Sequence, residues 1–325
     1  SGTRRGAAGR DSLTSAPMLH FHPSNRLETL ADGLADLMRA APLPPLEPEV
    51  VVVPSSHVGR WLGFQLAARL GIAANVRTEF AAAFVWRLIR RVLPDVPETS
   101  PLEPERLRWR LAARFAAPDA ALAPVARYLA DARPAQRFEL AAAVAEALDR
   151  YLVYRPDWIE AWSRGAGPDL GPDAAWQAVL WREVAAALPA PMREHPRERF
   201  FAALAADPER VAALPARIHL FAVTALPPLY LDFMRRLADA AGLAVHVHAF
   251  NPCREYWGQI VRRRELARAE ATAAPEAPLL EVGNGLLASL GHHGRATLDA
   301  IAQHDARGDA AYVVPGRHTV LGHLQ

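Results

Sequence analysis

Lysine is missing from this sequence altogether, so the 37 basic side chains among its 325 residues are all arginine. A phosphate loop of the kind that reaches the β- and γ-phosphates with a lysine is therefore excluded from this chain. Base composition of the genome is the bland explanation, yet arginine is also the side chain best suited to bidentate phosphate contacts and to stacking on bases. Cysteine is nearly absent as well: Cys253 stands alone. A disulfide framework and a multi-cysteine metal site within one chain are excluded, which suits a reducing cytoplasm, and Cys253 is expected to be a buried apolar filler. Long apolar runs are lacking too, because Arg, Asp or Pro interrupts every alanine-rich stretch, and no membrane helix is expected. An excess of one charge is missing, since the formal net charge is +2. A pI near 9.0 permits nucleic-acid binding without arguing for it.

What is present is length and apolar content, with 51% hydrophobic residues, enough for a substantial core and for two domains or one with a large insertion. Ser1 to Pro17 is rich in Arg, Ser and Gly without an apolar centre, so residues 1–17 are expected to be a disordered leader, with Met18 as the natural start. Leu19 to His22 reads as a short strand. Asn25 with Glu28 three residues on has the form of a capping box for a helix whose Leu27, Leu30, Leu34, Leu37 and Met38 share one face. After the Pro-rich link Pro42 to Pro48, Val50 to Val53 is a β-branched run typical of a strand buried on both faces. Ser55 or Ser56 can cap the helix that follows, with Val58, Trp61, Leu62, Leu66 and Leu70 as its stripe.

From Ala81 to about Ala206 the periodic segments are helical, clearest at Phe84 to Val92, Glu105 to Phe115, Phe138 to Leu152 and Trp176 to Leu188, with Pro-rich breaks between them. Strand pattern returns at Arg217 to Val223 and Leu243 to Phe250, with a helix at Leu229 to Ala241 between. The expected fold is α/β, a parallel sheet interrupted by an all-helical block. Residues 18–80 and 207–325 form the core and 81–206 the insertion.

In such a sheet ligands bind beyond the carboxyl ends of the strands. The first of these loops is His20-Phe-His-Pro-Ser-Asn-Arg26, where Pro23 removes an N–H and Asn25 and Arg26 stand in place of phosphate-loop glycines. After Val223, where an NTPase holds magnesium with an acid, the residues are Thr224, Ala225 and Leu226. Two parts of a nucleotide-hydrolysing site are missing independently. His246 and His248 alternate on one strand face without an acidic or cysteine partner at metal spacing, and plain packing is the preferred reading. His292 and His293 are adjacent and point in different directions, as surface or loop histidines do. No nucleophile elbow or zinc-protease pattern appears, and no cofactor is implied. Tyr151 to Trp158 and Asn251 to Trp257 gather aromatic rings and arginines where an element ends, a combination that stacks bases and holds phosphates. The plain alternative buries Trp158 and Trp257 and lets the arginines reach water.

The same segments resemble a known family, the RecC or gamma chains of the bacterial exodeoxyribonuclease V helicase-nuclease. The matching stretches are HPSNRLETL at 22–30 with Pro23 to Leu30 at its heart, GIAANV at 71–76, YLVYRPDW at 151–158, AWQAVLW at 175–181, ALPPLYL at 225–231, NPCREYWG at 251–258 and GNGLLASLGHHGR at 283–295. They run in the family's order from Met18 to about Arg295, and the chain corresponds to the amino-terminal part of longer members. The resemblance implies an inactive superfamily 1 helicase-like domain without ATPase motifs. It also implies a noncatalytic subunit that channels single-stranded DNA beside RecB-type and RecD-type helicase subunits in a heterotrimer and scans the 3′-ended strand for the Chi signal.

By the same resemblance the scanning residues are Trp86, stacking on a base, Asp149, accepting from a base amine, and Arg155 and Arg193, on phosphates or base edges. At the second strand end this chain has Pro54, Ser56 and Arg60 where well-known enterobacterial members present glutamines and a threonine. Glu146 is a further acid of the site, and Phe80 stands where a leucine is familiar. A DNA-channel fragment is thus the leading expectation, and a scaffold docking the motor subunits without appreciable DNA binding is the alternative.

Overall fold

The computed structural model describes residues 19–167, 171, 174–189, 192, 195–252, 254–272, 274–302, 310–314 and 316. The leader 1–17, Arg193 and Cys253 lie outside the described residues, as do the side chains of His292 and His293. The chain opens β1 (Leu19–Ser24), α1 (Leu27–Ala40), β2 (Glu49–Val52), α2 (Ser56–Leu70) and β3 (Val76–Glu79). A helical stretch follows: α3 (Ala81–Val92), α4 (Pro104–Arg114), α5 (Ala123–Tyr128), α6 (Pro134–Tyr154), α7 (Pro156–Ser163), α8 (Ala175–Ala186) and α9 (Arg197–Ala206). Then come β4 (Arg217–Phe221), α10 (Pro228–Ala241), β5 (Ala244–Phe250), β6 (Ile260–Val261), α11 (Arg263–Ala271), β7 (Glu281–Val282), α12 (Gly285–Leu290) and α13 (His292–Ala302).

Five strands form one parallel sheet in the order β1-β5-β4-β2-β3. The β-branched run of β2 is buried at every position, as the sequence predicts for a strand covered on both faces. One face packs Val51, Val53 and Phe221 against Leu30 and Leu34 of α1 and Leu62 and Leu66 of α2. The other packs Val50, Val52, Ile218, Leu220, Val245 and Val247 under Phe233, Met234 and Leu237 of α10. The helices of 81–206 share that second core: Phe84, Leu88 and Ile89 of α3, Leu107 and Leu111 of α4 and Trp162 and Trp181 belong to the same buried cluster as the strand residues. Gly71 (φ 81°) and Gly242 (φ 61°) end α2 and α10 in the left-handed region that only glycine enters without strain.

Two local expectations are corrected. The capping box does not form: the residue at the start of α1 is Arg26, extended and without a side-chain cap, because Asn25 lies one position too early and spends its carboxamide on Val313 instead. β3 is a strand that the pattern does not announce, since Val76-Arg-Thr-Glu79 sits at the sheet edge, where Arg77 and Thr78 are exposed. The cap of α2 forms as expected, with Ser55 Oγ accepting from the Val58 N–H at 3.2 Å.

Candidate nucleic-acid interface at the carboxyl edge of the sheet

β2 and β4 are neighbours, yet β2 leads into α2 on one face and β4 into α10 on the other. Their carboxyl ends therefore flank a switch point, the place where open α/β sheets bind ligands. Three expected residues lie on the elements that leave this edge. Ser56 and Arg60 lie on the first turns of α2, four positions apart and both exposed. Phe80 follows β3 and is 50% exposed. The strand ends are tied together by the Val53 N–H, which donates to Glu79 O at 2.9 Å. Gly59 lets α2 approach β3 closely, because a Cβ there would stand 3.2 Å from Thr78 Oγ1. A phenyl ring, a hydroxyl and a guanidinium are thus exposed on the elements that leave the neighbouring strand ends of β2 and β3.

The remaining expected residues are dispersed. Trp86 lies on α3, half-buried against the core, and its indole N–H donates to the carbonyls of Pro97 and Glu98 at 3.1 and 3.0 Å. Its ring meets His195 edge-on at 6.3 Å, and burial holds His195 down to about 4. Glu146 is exposed on α6, and Asp149 is half-buried one turn further on. Burial raises the Asp149 carboxyl, with Glu105 and Glu103 adding to the effect and Arg150 opposing it. Tyr230, in the first turn of α10, is pushed up to about 12 by burial and by the nearby Asp149 and Tyr154. Asp149 therefore stands beside the helix that leaves the carboxyl end of β4. Arg155 breaks α6 from α7 because it precedes Pro156, whose ring disfavours a helical residue before it. Its guanidinium lies 3.9 Å over the Trp158 ring and bonds Asp157 at 2.9 and 2.6 Å. The packing alternative holds for Trp257, which is buried with its N–H on Asn251 Oδ1 at 2.8 Å.

The loop after β4 carries a non-glycine residue in the left-handed region: Ala222 (φ 55°), whose N–H donates to His248 O at 2.9 Å. Beyond it Thr224 is exposed, and the Leu226 N–H donates to Thr297 Oγ1 of α13 at 3.0 Å. The loop after β1 is occupied by the chain itself. The Ala311 N–H donates to Pro23 O at 3.1 Å, Ser24 Oγ donates to Ala311 O at 2.7 Å, and the Asn25 carboxamide bonds both main-chain groups of Val313 at 2.9 and 3.0 Å. Asn251, at the end of β5, donates to the Tyr312 hydroxyl at 2.7 Å. Where a phosphate would lie in a nucleotide-binding relative of this topology, polypeptide lies instead.

A second polar cluster runs across β1, β5 and β4 on the face covered by α1 and α2, with His22 and His248 level with Phe221. His20 and His22 of β1, His246 and His248 of β5 and His219 of β4 are stacked, with neighbouring ring centroids as close as 4.6 Å. The chain of bonds ends on an ion pair: Glu49 holds Arg217 through both carboxylate oxygens and takes the His219 Nε2–H at 3.2 Å, and His219 Nδ1 meets His248 Nε2 at 3.2 Å. Burial, assisted by neighbouring histidines, pushes His246 down to about 3 and His248 well below its ordinary value. His219 is lowered by burial against the pull of Glu49, and Glu49 lies at about 2, because its bonds to His219 and Arg217 outweigh burial. The tautomers follow: neutral His219 gives its proton to Glu49 and accepts from His248, leaving His248 Nδ1 a buried lone pair without a partner. Among the described residues no group of three ligands can hold a metal ion, and no helix is long and apolar enough to cross a membrane. The two His-x-His triplets were visible in the sequence; that they lie against each other required the strand order.

A family model described as RecC, N-terminal domain, matches residues 19–325. The RecBCD enzyme subunit RecC of Escherichia coli is 33% identical over 312 residues, covering 86% of this chain and 28% of that protein. The subunit of the same name from Haemophilus influenzae is 27% identical over 371 residues, 95% of this chain and 33% of that protein. That from Mycolicibacterium smegmatis is 30% identical over 325 residues, 94% of this chain and 27% of that protein. The chain thus spans a third or less of the length of these relatives.

Proposed function

The chain belongs to the RecC N-terminal domain family, and from that premise we propose that it is a noncatalytic part of an ATP-dependent helicase-nuclease of double-strand break repair and recombination. Its α/β body is a helicase-like core without ATPase motifs, interrupted by the helical block of 81–206. Its role is to line a channel for single-stranded DNA and to contribute to reading the Chi signal, alongside RecB-type and RecD-type subunits in the cytoplasm. The observation that carries this reading is the carboxyl edge: the phosphate position is filled by polypeptide, while Phe80, Arg60 and Ser56 face water at the switch point. A stacking ring beside a guanidinium suits a single strand.

One observation favours the scaffold as a second reading. Arg155 is paired with Asp157, and the polar edge of Trp86 is satisfied inside the chain, so both are committed without DNA. Fluorescence-anisotropy titration of single-stranded DNA across a salt series separates the two. A strand channel gives binding with a log–log slope of about −0.7 per phosphate contact. Phe80→Ala then weakens it by roughly 1–3 kcal/mol with the fold intact. Absence of binding at low salt, with the fold intact, leaves the scaffold, and tight ATP binding in a parallel assay overturns both. Trp86→Ala marks that residue's side: a loss of about 3–5 kcal/mol of stability identifies it as core.

A further inference from the structure

We propose that the β1–α1 junction is a binding site for extended polypeptide main chain, and that its ligand in this protein is the chain's own segment Ala311–Val313. The evidence is which groups of the segment are used. Both main-chain groups of Ala311 and both of Val313 are hydrogen-bonded, to Pro23 O, Ser24 Oγ and the two ends of the Asn25 carboxamide. Ala311 and Val313 alternate with Tyr312, whose hydroxyl accepts from Asn251. This is the period of two that an extended strand presents to a partner.

The segment's side chains contribute little burial: Ala311 is exposed, Val313 is 36% exposed and Val314 87% exposed. Apart from the Tyr312 hydroxyl on Asn251, the bonds run through groups that every residue except proline carries. The receiving side is built, since Ser24 is fully buried and Asn25 and Asn251 are nearly so. Ser24 Oγ accepts from the Arg26 N–H at 3.1 Å, which leaves its own proton for Ala311 O, and Asn251 is fixed by the Trp257 N–H and by its own N–H on Ser24 O. A primary carboxamide offers one donor and one acceptor at the spacing of a peptide's own N–H and C=O, so Asn25 reads main chain as a neighbouring strand would. The site that lacks glycines for phosphate thus has a hydroxyl and one carboxamide for peptide main chain, with Asn251 beside them on the Tyr312 hydroxyl, and the conclusion does not depend on DNA binding.

Amide hydrogen exchange on the intact chain tests it, read at the Ala311 amide with the β5 amides as control. We expect protection at Ala311 in the parent protein, unchanged in Val313→Ala and reduced roughly tenfold or more in Val313→Pro and in Asn25→Ala. The proline variant alters an exposed position, so it keeps the test decisive if Asn25→Ala disturbs the fold. Free exchange at Ala311 in the parent overturns the proposal. So does Val313→Ala loosening the segment as much as Val313→Pro, which would make side-chain packing the attachment.

Discussion

The two faces of the five-stranded sheet solve burial in opposite ways. Toward α10 the strands present Val50, Val52, Ile218, Leu220, Val245 and Val247, and the free energy comes from apolar area with no partner to satisfy. Toward α1 and α2 the sheet presents Val51, Val53 and Phe221 and, beside them, five histidines with a glutamate and an arginine. A buried polar ladder is tolerated there because the His219 and His248 protons have acceptors and Glu49 is neutralised by Arg217. The lesson is that one face is indifferent to pH, whereas the other depends on His219, His246 and His248 staying neutral.

Acid breaks that symmetry most. His219, His246 and His248 are lowered in the folded chain, so their neutrality favours folding fully above about pH 6.5, the unfolded value. That contribution is lost as pH falls below it, because the unfolded chain takes up protons that the folded one refuses. Each histidine steepens the decline by up to about 1.4 kcal/mol per pH unit. Glu49, itself lowered, adds its own loss only below about pH 4.5. Urea unfolding between pH 8 and 5 checks this, and His248→Phe, which keeps a ring of similar size, is expected to remove one proton from the slope. A flat profile would mean that the ladder is already charged in the fold.

Cutting the ion pair comes next. Glu49→Ala leaves Arg217 buried without its carboxylate and the His219 N–H without an acceptor. We expect a cost of about 3–5 kcal/mol in urea unfolding at pH 8. Recovery of most of that loss in the double variant Glu49→Ala with Arg217→Met would locate the cost in the uncompensated charge.

The sequence revealed the elements whose own pattern decides them. The continuous apolar run of β2, the strand patterns of β4 and β5 and the stripes of α1, α2, α3 and α10 are local, and the missing phosphate glycines at Ser24 to Arg26 could be read directly. What depended on strand order could not be. His20 and His22 meet His246 and His248 only because β5 lies between β1 and β4, although it is the last of the five in sequence. Asn25 looked like a cap because its local spacing fits one, whereas its partner Val313 is 288 residues away. Among the proposed DNA-contacting residues, Ser56 and Phe80 follow neighbouring strand ends and Arg60 lies one turn into α2, while Trp86 and Asp149 sit on helices, and Arg155 between two, whose relation to the edge no periodicity encodes.

The mildest perturbation belongs to the apolar face and sharpens the comparison by what it leaves alone. Ile218 is fully buried, and its neighbour along β4 on the opposite face is His219. Ile218→Val removes one methylene next door to the ladder without touching a proton, so it should cost about 0.5–1.5 kcal/mol. The same cost should appear at pH 8 and at pH 6, shifting the whole stability curve downward in parallel. If Ile218→Val instead changed the slope, the two faces would be coupled through the strand. The ladder's proton affinity would then depend on packing behind it as well as on its own hydrogen bonds.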